Sequence, residues 1–168
     1  MKEEKILEFG IKRENEERRD GGCCVVFDPK TKKYAVYKHP RTNVLCLFGG
    51  GFDKGENEKD GCVRELQEES GLVDFLYTEE IDKVYVHYFN RNKKINRVAY
   101  ATCVLVILKS LKREETKLEE HESDFEFMLC SGDEILNSWE SFNQEKDYDH
   151  WIYFFKKAVR RIKELVYS

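Results

Sequence analysis

Between residues 23 and 48 the apolar positions come in short β-prone runs: Cys23 to Phe27, Tyr34 to Tyr37 and Val44 to Phe48. Asp28-Pro29-Lys30 and His39-Pro40-Arg41-Thr42-Asn43 separate them with turn chemistry, which predicts three short strands. The pattern then changes. From Asn57 or Glu58 to Ser70 helix formers dominate, and Gly71 is the residue best suited to a left-handed C-terminal cap. Two longer apolar runs, Ile81 to Phe89 and Ile95 to Leu108, flank Asn90-Arg91-Asn92-Lys93-Lys94 and predict a hairpin. Cys103 to Leu108 is apolar without alternation, as expected of a central strand covered on both faces. Phe125 to Cys130 reads as a further strand, and Ser131-Gly132-Asp133-Glu134 as a helix start. In a last helix over Asp147 to Val166, Trp151, Phe155, Ala158, Ile162 and Leu165 recur at spacings of three and four, while lysines and arginines fill much of the rest. Such a helix serves a membrane surface or a protein core, and a sheet awaiting cover favours the core. The expected class is α/β, a mixed sheet between helices.

Composition narrows this picture. The 168 residues suit one domain, expected over 21–168, with residues 1–20 as a charged arm in which only Ile6 to Ile11 interrupts the charges, a fraying strand or a tail. Acidic residues outnumber basic ones 33 to 29, which argues against duplex nucleic acid or an anionic membrane as partner. The six cysteines show no C-x-x-C pairing and sit in apolar runs, as reduced core thiols of a cytoplasmic protein would. No signal-like segment or membrane-length apolar stretch is present in the sequence. The oligomeric state is not legible at this level.

The chemistry concentrates in the acidic helix. At about 100° per residue, Glu65, Glu68 and Glu69 share one arc, while Cys62, Val63 and Leu66 point to the buried side. Like charges so placed cost a helix about 0.2–0.5 kcal/mol per pair, and the helix dipole at the C-terminal end adds to the cost. Arg64, four residues before Glu68, is placed to pair with it, and Gly61 keeps the preceding turn free of bulk. The cluster reads as a hard-oxygen site for Mg²⁺ or Mn²⁺, or else as a solvated acidic face. Gly49-Gly50-Gly51, directly after a predicted strand, frees backbone for close approach to a ligand.

The segment from Gly50 to Leu72 resembles the Nudix hydrolase signature G-x5-E-x7-R-E-U-x-E-E-x-G-U, where U is a bulky apolar residue. Gly50, Glu56, Arg64, Glu65, Leu66, Glu68, Glu69, Gly71 and Leu72 fill every specified position. The resemblance implies an α/β/α sandwich and a metal-dependent hydrolase of nucleoside diphosphate-linked compounds. It implies Glu65, Glu68, Glu69 and the Gly49 carbonyl as metal ligands, Glu65 also as a possible base, Glu56 and Gly50 in support, and Arg64 orienting the glutamates. Phe48 stands where family members often carry proline. A later acidic loop often supplies the base in this family, and in Glu119-Glu120-His121-Glu122 the expected residue is Glu120.

Lys38 and Arg41 are candidates for phosphate contacts, and Phe48, Tyr85, Tyr88 and Phe89 for base stacking. The substrate stays open among nucleoside triphosphates, dinucleoside polyphosphates and nucleotide sugars. The only prolines, Pro29 and Pro40, precede the motif, which speaks against the ADP-ribose subgroup, whereas Tyr88 lies where dinucleoside polyphosphate hydrolases tend to carry tyrosine. The alternative is a Nudix-fold module that binds a nucleotide without cleaving it.

Overall fold

The computed structural model describes residues 4–143 and 145–165. Nine strands among these residues form one mixed sheet. They are β1 (Glu8–Gly10), β2 (Glu17–Arg18), β3 (Gly21–Asp28), β4 (Lys33–Lys38), β5 (Leu45–Cys46), β6 (Phe48–Gly51), β7 (Phe75–Asn90), β8 (Ile95–Leu108) and β9 (Glu126–Cys130). The main path runs β1-β7-β8-β3-β4-β5, with β2 on β8, β6 on β3 and β9 on β4. β3 and β8 pair in parallel and β7 and β8 form the long antiparallel hairpin. Three helices, α1 (Glu58–Ser70), α2 (Gly132–Phe142) and α3 (Asp149–Glu164), cover the two faces of this open sheet.

Alternation along the central strands assigns their side chains to two cores. Cys24, Val26, Val104 and Val106 pack with Cys62 and Leu66 of α1. Cys23, Val25, Cys103 and Leu105 pack on the opposite side with Ile135 and Trp139 of α2 and with Phe154, Phe155, Ala158 and Ile162 of α3. All six cysteines are buried and unbridged. The Trp139 indole N–H donates to the Leu45 carbonyl at 2.6 Å, so α2 satisfies a backbone group of β5.

Three elements depart from the expected pattern. The run Val44 to Phe48 is two strands rather than one, and the second carries the three glycines into the sheet beside β3. β7 begins at Phe75, six residues before the expected start, and absorbs register shifts between Phe75 and Tyr77 and between Glu80 and Asp82. In the charged N-terminal stretch, β1 pairs with β7 and β2 with β8, both in parallel, and Glu8 and Glu16 hold opposite sides of the His87 ring at 3.1 and 2.9 Å. Of the two readings of this stretch, a fraying strand or a tail, its described part takes the strand, with Glu8 and Glu16 holding it to His87. Val166, the expected end of the last helix, lies outside the described residues.

The basic face of α3 also serves the fold. Lys157 donates to Asp82 at 2.7 Å, Tyr153 donates to the same carboxylate, and Arg161 pairs with Glu79 at 2.9 Å. Burial alone would raise the Asp82 carboxyl, but these hydrogen bonds and the Lys83 N–H outweigh it and hold the group below the usual range. A carboxylate with a lowered folded-state pKa contributes stability that is present above its unfolded value and lost as pH falls through the folded one. Asp82→Asn is therefore expected to lower the urea midpoint at pH 7, and its gap from the wild type should narrow as pH falls below the unfolded value of about 3.9. Among the described residues, no helix is long and apolar enough to cross a membrane.

Candidate active site

The site begins with a strip of bare backbone. β6 pairs antiparallel with β3, placing Gly49, Gly50 and Gly51 opposite Cys23, Gly22 and Gly21. A Cβ at Gly49 would lie 2.2 Å from the Gly22 carbonyl oxygen, and one at Gly50 would lie 2.6 Å from the carboxyl carbon of Glu65. Glycine is required here so that α1 can lay its carboxylates on the strand. α1 itself is fixed at both ends: the Asn57 side chain accepts from the Asp60 N–H, and Gly71 at φ 76° returns its own N–H to the Gln67 carbonyl.

Arg64 is the hub of the acidic face. Its Nε and Nη2 donate to the two Glu56 oxygens at 2.7 and 3.0 Å, its Nη1 reaches Glu65 and Glu68 at 3.1 Å each, and Nη2 also meets the Gly51 carbonyl at 3.2 Å. The expected pairing of Arg64 with Glu68 is present, and Glu56 turns out to be the stronger partner. The guanidinium holds the Glu56 carboxyl down to about 2. Glu65 shifts the other way, because burial outweighs the pull of Arg64.

Glu69 is 8% exposed and accepts the Gly49 N–H at 2.7 Å. Burial, and then the Glu122 carboxyl against it, push its pKa up to about 10, only partly offset by that N–H. Two carboxyl groups in contact inside a protein need a proton or a cation between them. In this arrangement Arg64 stands between Glu65 and Glu68 while Glu69 turns to Gly49, and among the described residues no three Asp, Glu, His or Cys side chains are already drawn together around one point. The donor set is nonetheless all carboxylate oxygen, the chemistry of a hard divalent cation.

Glu122 comes from a 3₁₀ turn at Glu120–Glu122, where the Glu119 N–H donates to its carboxylate at 3.0 Å. The expected residue of the acidic loop was Glu120. Glu120 is exposed and does not line the cavity, whereas Glu119 and Glu122 do. The reciprocal cap between positions 119 and 122 was visible as a spacing, but only its register against α1 tells which acid faces inward.

A cavity of about 830 Å³ runs from these carboxylates across the glycine strip to the β7–β8 hairpin and the start of α3. Tyr88 and Phe89, the candidates for base stacking, line it. Phe48 does not: at 2% exposure it is a core residue packed between Tyr37 and Phe127. Tyr85 stacks on Tyr100 with 4.9 Å between ring centres, and neither it nor Lys38 nor Arg41 lines the cavity. The cations that do include Arg19, Arg97 and Lys117, and His150 and Trp151 join them from α3. None of these five was singled out in the sequence as a site residue, and Trp151 read there as part of the apolar face of the last helix. Arg97 carried the clearest signal, because it shares a strand face with Ala99 and Ala101 and so places a charge in core register.

Residues 17–152 match the family described as the NUDIX domain. No curated protein sequence matches the chain. Similar solved structures include the NUDIX domain of Shewanella oneidensis NrtR complexed with ADP ribose, at TM-score 0.62 and 15% identity over 88% of this chain and 90% of that one. The C. elegans Ap4A hydrolase is similar at TM-score 0.50 and 12% identity over 87% of this chain and 99% of that one. These identities speak to the fold alone. The family match spans the glycine strip, the whole acidic helix and the loop of Glu122, and by that match the chain belongs to the NUDIX family.

Proposed function

We propose that this protein is a metal-dependent hydrolase that cleaves a pyrophosphate bond in a nucleoside diphosphate-linked compound: a nucleoside triphosphate, a dinucleoside polyphosphate or a nucleotide sugar. The observation that carries the reading is the single cavity that joins four carboxylates, Glu65, Glu68, Glu69 and Glu122, to arginines and aromatic side chains. Glu65, Glu68 and Glu69 would hold Mg²⁺ or Mn²⁺, with the backbone of Gly49 beside them. A bound divalent ion supplies charge neutralisation on phosphate oxygens and a water of lowered pKa. The chain's own residues would do the rest. Arg64 orients Glu65 and Glu68 while Glu56 and the Gly51 carbonyl hold Arg64. Glu122, rather than Glu120, is the loop acid placed to take a proton at its carboxylate oxygen. Arg19 and Lys117 offer positive charge to phosphates along the cavity wall.

The test is a panel of nucleoside triphosphates, dinucleoside polyphosphates, nucleotide sugars and ADP-ribose, incubated with Mg²⁺ and with chelator, using Glu68→Gln as control. Cleavage that needs both the metal and Glu68 supports the reading. Binding of a nucleotide with no cleavage of any panel member would favour the non-hydrolytic module. Gly50→Ala offers a finer check. The added methyl meets only the mobile end of Glu65 and should leave the melting temperature within a few degrees, while the displaced carboxylate should cost about 10²-fold in kcat.

A further inference from the structure

Two side chains that line the cavity, Arg97 and His150, each carry a buried polar atom without a hydrogen-bond partner. Arg97 is 6% exposed and its Nε has no hydrogen-bond partner, while its Nη2 lies 3.8 Å from Glu17, beyond hydrogen-bond reach. The Nδ1 of His150 is likewise buried and unpartnered. Buried groups of this kind are ordinarily satisfied, and two in one cavity point to a ligand that completes them. Position along the strand separates Arg97 from the carboxylates. Ala101 sits beside Gly21 at the glycine strip, and Arg97 lies four residues further along β8, about 13 Å away. That is the reach of a nucleoside, not of a single phosphate. Ala99 and Ala101 leave the floor open, Tyr88 stands beside Arg97 on the neighbouring strand, and Trp151 and Phe89 line the same cavity.

We propose that Arg97, with His150, recognises the non-reacting end of the substrate, and that this end is a 6-oxopurine such as guanine. The inference rests on the nucleotide reading above. A guanidinium only donates, and its Nε and a neighbouring Nη form a fork matched to two adjacent acceptors. Guanine presents such a pair in O6 and N7, whereas adenine presents an amino donor at the first position, which would face the fork with a like group. Phosphate also accepts a fork, but the surroundings favour a neutral ring. Burial lowers His150 to about 4, so it stands uncharged at neutral pH, and two aromatic rings pack near it, with Trp151 5.8 Å and Phe154 6.2 Å between ring centres.

The experiment compares GMP with AMP, and GTP with ATP, by calorimetric binding without metal and by turnover with Mg²⁺, in the wild type, Arg97→Met, Arg97→Lys and His150→Phe. The wild type should favour the guanine member by about 10- to 100-fold in Kd and KM. Arg97→Met should abolish that preference, Arg97→Lys should not restore it, and His150→Phe should reduce it, with kcat little changed in all three. Because the Arg97 Nε has no partner and the ion pair of its Nη2 is a long one to an exposed Glu17, Arg97→Met should melt within a few degrees of the wild type. Equal weakening of GMP and AMP by Arg97→Met, with recovery in Arg97→Lys, would make the residue a phosphate clamp and overturn the proposal. So would an Arg97→Met protein that binds as the wild type does, or a wild type without preference for guanine. Guanine-selective binding with no turnover would sustain the subsite while refuting the hydrolase reading.

Discussion

Replacing Glu69 by Gln is expected to lower nucleotide hydrolysis by at least about 10²-fold while making the cation-free protein more stable at alkaline pH. The two effects have one cause. Glu69 is buried against Glu122, and its pKa is pushed up to about 10. A group whose folded-state pKa is raised contributes stability that is full below its unfolded value and is lost as pH rises toward the folded one. Between about pH 4.3 and 10 the wild type therefore loses stability that Glu69→Gln, neutral throughout, keeps, by up to about 1.4 kcal/mol per pH unit. Denaturant melts at pH 5 and pH 8 check the sign: the variant should gain on the wild type as pH rises. Millimolar Mg²⁺ should then stabilise the wild type and leave the variant unmoved. Glu68→Gln, which removes the carboxylate that rests on Arg64, should show a similar loss of hydrolysis.

The second large effect belongs to Arg64. One guanidinium satisfies Glu56, Glu65, Glu68 and the Gly51 carbonyl, with its side chain 26% exposed. Its removal in Arg64→Ala strands three carboxylates beside Glu69, and the partial exposure tempers the penalty of a fully buried pair to about 2–4 kcal/mol. The expected outcome in urea is a lower midpoint with an unchanged slope, and a partial recovery on adding divalent cation, which takes over the neutralising role. Arg64→Lys should recover little. An ammonium is a point charge and cannot hold Glu56 through both oxygens while still reaching Glu65 and Glu68. Activity should fall in both variants, since the glutamates lose their orientation.

Much of this was written in periodicity. The helix that bears Glu65, Glu68 and Glu69 ends where Gly71 said it would, and the uninterrupted run Cys103 to Leu108 is a central strand covered on both faces. The Arg64 to Glu68 pair follows from helical spacing alone. What the chain did not disclose is long-range. Phe48 sits directly before the glycines, yet alternation turns it into the α1 core, away from the substrate side. Glu122 rather than Glu120 lies against Glu69, because a 3₁₀ turn, not spacing, sets which acid of the loop faces α1. Arg19 and Arg97 come from stretches that read as solvated charge and a plain strand, and only the parallel pairing of β2 with β8 brings them to one cavity. Short strands of charged residues give no local signal of the partner they will find.

The central claim is that the carboxylates of α1 form a divalent-cation site, and a calorimetric titration of Mn²⁺ at several pH values tests it most directly. Because Glu69 is protonated in the free protein at pH 8, a cation that binds there must displace a proton. The account predicts binding that tightens as pH rises, with a heat that changes with the buffer's ionisation enthalpy, and that is lost in Glu68→Gln and Glu69→Gln. Binding with no proton release, or binding that survives both substitutions, would contradict it.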